Sequence, residues 1–223
     1  MKPIRIIAIV LMLVLAGLWG AAWMFRAPGE GVAESFVRRL AFLGGAGMPP
    51  PSAGGVVLPE GVNLGGSFSL TDQTGRAVTE ATYADGLSLM YFGYTYCPDV
   101  CPTELGIMAQ AMDELGPDAA HVTPILVTID PERDTPEALA GYVANFHPRM
   151  VGLTGTPTQI ADIARKFRVY YQRVQRPDMT DYLMDHSSFI YLVGKDGRVR
   201  GLFRPNSPPE AIAAAVRGAL RAG

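Results

Sequence analysis

Two thiols and three imidazoles are the side chains of this sequence whose types and spacing could do chemistry. Cys97 and Cys101 are its two cysteines, and both fall in the run Gly93-Tyr94-Thr95-Tyr96-Cys97-Pro98-Asp99-Val100-Cys101-Pro102. A structural disulfide between them would close a very short loop, and in the chain-entropy account short loops give the least stabilisation. A thiol-disulfide catalyst is a second use, although the usual redox motif is C-x-x-C and this one has an extra residue. A metal site is a third. The intervening residues leave slack for both sulfurs to converge on one external atom, and paired soft thiolates are ligands that Cu(I) prefers. Such a site needs a further ligand, and His121, His147 and His186 are the chain's histidines.

The elements that must hold these groups follow from hydrophobic pattern and punctuation. The apolar run at 87–92 reads as a buried strand that ends at the cysteine motif. A helix is expected over 103–115, with Pro102 at its first position and Leu105, Met108, Met112 and Leu115 on one face. That periodicity assigns Met108 and Met112 to the core rather than to a methionine-rich metal site. A strand end followed by a helix start favours thiolates, because helix N-terminal N–H groups and the dipole attract negative charge.

Further on, strand patterns at 124–129 and 150–153 alternate with helices at 136–146 and 158–167. A strand pair at 189–193 and 199–203 turns on Gly-Lys-Asp-Gly, and a helix over 209–220 closes the chain. Ahead of the first buried strand, Phe68, Leu70 and Val78 flank an Asp-Gln-Thr-Gly turn and predict a β-hairpin. This order is α/β with a mixed sheet, compatible with a thioredoxin-like fold carrying an N-terminal hairpin. In that fold the loop before strand 189–193 packs beside the start of the first helix. His186, in Met184-Asp185-His186-Ser187-Ser188, is therefore a candidate ligand, and position alone leaves the matter open. His121 is expected at the sheet end away from the cysteines, and His147 follows a helix, where a cation is ordinary.

The chain has 223 residues and a formal charge of -2. No Lys/Arg run marks it for nucleic acid, which is not an expected partner. Lys2 and Arg5 precede an uncharged apolar stretch over 6–25, close to the ~20 residues a helix needs to cross a bilayer. A secretory signal has an apolar core of only about 7–15 residues and a small-x-small cleavage site. An uncleaved single-pass anchor is the better reading, with a cytoplasmic N-terminus and the rest facing the periplasm or an equivalent space. The expected layout is an anchor at 1–26, a juxtamembrane segment and Gly/Pro-rich linker at 27–64, and a folded domain at 65–223.

Three stretches together resemble one family. They are Tyr91-Phe-Gly-Tyr-Thr-Tyr-Cys97-Pro-Asp-Val-Cys101-Pro-Thr-Glu-Leu105, Thr128-Ile-Asp130-Pro-Glu-Arg-Asp134-Thr-Pro, and Asp185-His186 before a strand. In that order they are similar to the Sco/SenC copper chaperones of cytochrome c oxidase, over roughly residues 65–205. The resemblance implies that Cys97, Cys101 and His186 bind one copper ion and that the cysteine pair cycles between dithiol and disulfide. It implies as partners a copper-receiving subunit of a cytochrome oxidase and other periplasmic copper carriers. Asp130 is then a candidate to charge-balance or hydrogen-bond the site, with a plain turn residue before Pro131 as the alternative.

Two enzymatic readings compete. In one, Cys97 attacks and Cys101 resolves, so that the protein reduces the cysteines of a copper-receiving partner. In the other, the chain is a thiol peroxidase. Peroxiredoxins resemble one another in a Thr three residues before the reactive Cys, and here that position is Tyr94.

Overall fold

The computed structural model describes residues 55–57, 63–175 and 180–222, with Met12, Gly17 and Trp19. The chain divides into two compact units, Met1–Ser52 and Ala53–Gly223. In the first unit Met12, Gly17 and Trp19 are helical, and the apolar span expected over 6–25 otherwise lies outside the described residues. Among the described residues, no helix is long and apolar enough to cross a membrane.

The second unit is built around a strand whose every residue is buried. Leu87–Gly93 (β4) has no polar face, as expected of a strand covered on both sides. Val122–Thr128 (β5) runs parallel to it in register from Leu87↔Val122 to Gly93↔Thr128, and Val151–Thr154 (β6) runs parallel to β5. On the other side Ile190–Val193 (β9) pairs antiparallel with β4, and Val199–Phe203 (β10) pairs antiparallel with β9. The predicted hairpin is present as Ser69–Asp72 (β2) and Ala77–Thr79 (β3), with β2 against β6. A short strand, Gly55–Val57 (β1), pairs with β10 and gives the sheet order β1-β10-β9-β4-β5-β6-β2-β3. It lies inside the Gly/Pro-rich stretch whose composition reads as a tether.

Among the described residues of the second unit the helices are Val100–Leu115 (α1), Pro136–Val143 (α2), Pro157–Lys166 (α3) and Pro209–Ala222 (α4), with 3-10 turns at Glu80–Tyr83 and Gly116–His121. The architecture is α/β and thioredoxin-like. α1 packs against α4, and α2 against β6. Leu105, Met108, Met112 and Leu115 are all buried, so the methionines belong to the core.

Two boundaries differ from expectation by three residues, the others by at most two. α1 begins at Val100, which places Cys101 inside the helix and Pro102 at its third position. The opening N–H groups of a helix have no intrahelical acceptor, so Pro fits at the third position as it does at the first. α2 stops at Val143 rather than near 146, where the Asn145 side-chain amide donates to the carbonyls of Gly141 at 2.8 Å and Tyr142 at 3.2 Å. These bonds satisfy two of the carbonyls that a helix end leaves open.

A second, two-stranded sheet stands apart from the main one. Tyr171–Val174 (β7) and Leu183–His186 (β8) pair antiparallel, with Tyr171 opposite His186. His186 is thus the last residue of a strand rather than part of a loop.

Candidate metal centre

Because β4 and β5 run parallel, the segments that follow them leave the sheet at the same edge. The first carries the cysteines and the second the turn Asp130-Pro-Glu-Arg-Asp134. Their junction is held by buried Asp134, whose carboxylate accepts the Thr95 N–H at 3.1 Å and the hydroxyls of Thr95 at 2.5 Å and Thr128 at 2.6 Å. Burial pushes the Asp134 carboxyl upward, against those hydrogen bonds. The Ile129 N–H donates to the Gly93 carbonyl at 2.9 Å and closes the same seam.

After Gly93 the chain turns, with the Cys97 N–H donating to the Tyr94 carbonyl at 3.3 Å. Asp99 occupies the position before α1, yet its side chain makes no capping bond. The Cys97 sulfur takes that role instead, accepting the Cys101 N–H at 3.4 Å. A helix start needs such an acceptor, and an anionic one gains from the dipole. Both cysteines are free, with Cys97 9% exposed and Cys101 fully buried.

His186 reaches this helix start from β8. Its Nε2 lies 3.4 Å from Cys101 Sγ, and its Nδ1 lies 3.0 Å from the Ser187 carbonyl. A carbonyl only accepts, so Nδ1 carries the proton and the Nε2 lone pair faces the sulfurs. The ring stands edge-on to Tyr91 and Tyr94, both with centroids at 6.0 Å. Tyr94 also fixes the strand, its hydroxyl accepting the Met184 N–H at 3.1 Å. The Tyr91 hydroxyl donates to Cys101 Sγ at 3.9 Å.

The donor atoms of Cys97, Cys101 and His186 all lie within 4.8 Å of one another. Two sulfurs and an imidazole give Cu(I) a soft, low-coordinate site, and the same set with an added oxygen suits Cu(II). Zinc accepts the same residues but takes four ligands, or three and a water. The donor set fits a single copper ion.

The two thiols are not equivalent. Hydrogen bonding from the Cys101 side chain, opposed by burial and aided by the backbone N–H groups of Asp99 and Cys101, holds the Cys97 thiol down to about 4. The same bond from the other end, together with burial, pushes Cys101 upward. Cys97 is the thiolate of the pair.

The bonds of Asp130 go to residues other than the three donors. Its carboxylate takes the Arg133 Nε at 2.5 Å and the Tyr182 hydroxyl at 2.7 Å. His121 ends a 3-10 turn at the amino end of β5, opposite the cysteines. The His147 Nδ1 accepts the Arg149 N–H at 3.1 Å, a local turn contact.

Sequence reasoning gave no role to Arg133, Asp134 or Glu104. The first two stand in the quoted Asp-Pro-Glu-Arg-Asp motif, which was the available signal. Glu104 lies one turn after Cys101, fully buried, and accepts the Asn206 N–H at 2.8 Å. Its second carboxyl oxygen has no hydrogen-bond partner among the described residues, and burial raises its affinity for a proton.

Comparison with known proteins shows the family of the chain. The human protein SCO1 homolog, mitochondrial, is 45% identical over 163 residues, 71% of this chain and 53% of the human one. The chain thus spans about half the length of that relative. A SCO2-like protein of Rickettsia conorii is 42% identical over 164 residues, 73% of this chain and 80% of its own. The crystal structure of Arabidopsis thaliana ScoI with copper bound superposes with a TM-score of 0.67 at 37% identity, covering 72% of this chain and 99% of that one. The SCO1/SenC family model matches residues 58–221, which include the cysteine motif, the Asp-Pro-Glu-Arg-Asp turn and His186, and the chain belongs to that family.

Proposed function

We propose that this protein is a membrane-anchored copper chaperone. It binds one copper ion through Cys97, Cys101 and His186 and assists metallation of the dinuclear copper site of cytochrome c oxidase. In this reading residues 1–26 anchor the chain, 27–64 link, and 65–223 form the copper-binding domain in the periplasm or an equivalent space. The recipient is a copper-receiving oxidase subunit, and other periplasmic copper carriers supply the ion. The observation that carries the proposal is the convergence of two sulfurs and Nε2 within 4.8 Å. Copper bound to the related ScoI of Arabidopsis thaliana supports the choice of metal.

A second activity of the same pair is favoured by the inequality of its thiols. The Cys97 thiolate attacks a disulfide of the recipient, forming a mixed disulfide and releasing one recipient thiolate. Cys101 then gives up its proton and attacks the Cys97 sulfur. A Cys97–Cys101 disulfide forms, the second recipient thiolate leaves, and two electrons have moved to the recipient. The two activities share residues and are separable at His186, which only metal binding requires.

The test is copper binding by the purified full chain in detergent after complete thiol reduction, compared with Cys97→Ser and His186→Ala. About one tightly held Cu(I) in the wild type, lost in Cys97→Ser and weakened in His186→Ala, supports the chaperone. A wild type that holds no copper yet reduces disulfides with His186 removed leaves the oxidoreductase alone.

A further inference from the structure

Arg133 stands where the cysteine segment, the turn after β5 and the β7–β8 hairpin meet. The turn itself is closed by the Arg133 and Asp134 N–H groups donating to the Asp130 carbonyl at 3.2 and 3.0 Å. From it the Arg133 side chain reaches two ways. Its Nε pairs with the Asp130 carboxylate, and its Nη1 donates at 3.0 Å to the carbonyl of Tyr182, the residue immediately before β8. Its guanidinium carbon lies 3.7 Å from the centroid of the Tyr182 ring, 4.6 Å from that of Tyr96 and 5.8 Å from that of Tyr94. The Tyr182 hydroxyl donates to the other Asp130 oxygen at 2.7 Å, which completes a ring of contacts.

One side chain therefore touches Tyr96, the neighbour of Cys97, and the backbone that enters the strand ending in His186. The arrangement needs a planar cation that stacks on rings and presents donors in a fixed fork, which is what distinguishes Arg from Lys. It is also screened from water, since the Arg133 side chain is 16% exposed and that of Asp130 4%. An exposed ion pair contributes little, whereas this one is largely buried within its turn and fixes the guanidinium whose Nη1 bond to the Tyr182 carbonyl joins the turn to the hairpin.

We propose that Arg133, held by Asp130, is the positioning residue that sets His186 against the cysteine pair. Its hold acts on the hairpin, and through the hairpin on the imidazole. The role rests on the copper reading of the centre, so the test has one arm that involves no metal.

Arg133→Met and Arg133→Lys are made in the wild type and in His186→Ala, and Cu(I) affinity is measured by chelator competition. Loss of a group that orients a metal ligand typically lowers affinity about 10–100-fold. That loss is expected for Arg133→Met in the wild type, with none further in His186→Ala, because the residue acts through the imidazole. Arg133→Lys recovers part of the affinity, keeping charge but not the stack. In the reduced, metal-free protein, the amides of Tyr171–Val174 and Leu183–His186 and the Ser187 N–H exchange faster in Arg133→Met than in wild type. Equal affinity losses in both backgrounds, or hairpin amides as protected as in wild type, overturn the proposal. A wild type that binds no copper removes the copper reading, and hydrogen exchange still decides whether Arg133 holds the strand of His186.

Discussion

Cys101 Sγ and His186 Nε2 lie 3.4 Å apart across 85 positions of sequence. The thiol belongs to a core helix and the imidazole to a hairpin outside the main sheet. Removing the imidazole therefore leaves a dithiol whose scaffold is intact. His186→Ala is expected to retain Cu(I) on the two sulfurs and to lose Cu(II), for which imidazole is a preferred ligand. Electron paramagnetic resonance of the oxidised, copper-loaded variant checks this. A wild-type Cu(II) signal in the alanine variant would remove His186 from the ligand set.

Cys97 titrates far below a free thiol, at about 4 against an ordinary value of about 8.5. Its alkylation by iodoacetamide in the reduced, metal-free protein should stay fast at pH 6 and fall off only toward pH 4. Because the folded-state value is the lower one, the stability contributed by this group is full above the unfolded thiol range. It is lost as pH falls through about 4. Melting temperature should drop more between pH 8 and pH 4 in the wild type than in Cys97→Ser, and parallel profiles would refute the assignment.

A methyl group at Gly93 would stand 2.9 Å from Cys101 Sγ and 2.8 Å from Cε1 of Tyr91. Neither neighbour has room to move, since both are fully buried. Gly93→Ala is expected to destabilise the protein by about 1–3 kcal/mol, as overpacking in cores does, and to lower copper occupancy with it. Denaturant titration beside metal analysis tests the pair of effects.

Asp134 accepts three donors at the seam between the cysteine segment and β5. Asp134→Ala leaves them buried without an acceptor, at about 1–3 kcal/mol for each group that finds no other partner. Melting should fall by roughly 2–4 °C for every kcal/mol lost in a chain of this size. Asp134→Asn, which keeps an acceptor, should lose less. Equal melting temperatures for the two variants would mean that the hydrogen bonds contribute nothing.

What the sequence could reveal depended on whether the pattern was local. β4 was legible because the apolar run at 87–92 has the length of a strand and the cysteine motif follows it directly, and the structure buries all seven residues of that strand. α1 was legible from four core residues on one face, though its start was not, because Pro suits several early positions. The β7–β8 hairpin gave no such signal. Its strands are half exposed and show no alternation, and what ties β8 in place includes the bonds of Arg133 to the Tyr182 carbonyl and of Tyr94 to the Met184 N–H, from distant segments. The positions of Arg133 and Asp134 were visible in the motif. Their partners come from segments 39 and 49 residues away and could be found only in three dimensions.

The short strand β1 has a practical consequence for any shortened form of this protein. Its three residues cover the outer edge of β10 along Gly201, Leu202 and Phe203. A polypeptide that begins after Val57 leaves that row of N–H and C=O groups open to any extended chain that meets it. Unpaired edges template strand addition between molecules, and the exposed register includes Leu202 and Phe203. Such a fragment would carry a complete metal centre and a newly sticky flank, so its self-association would report on a missing strand and not on copper.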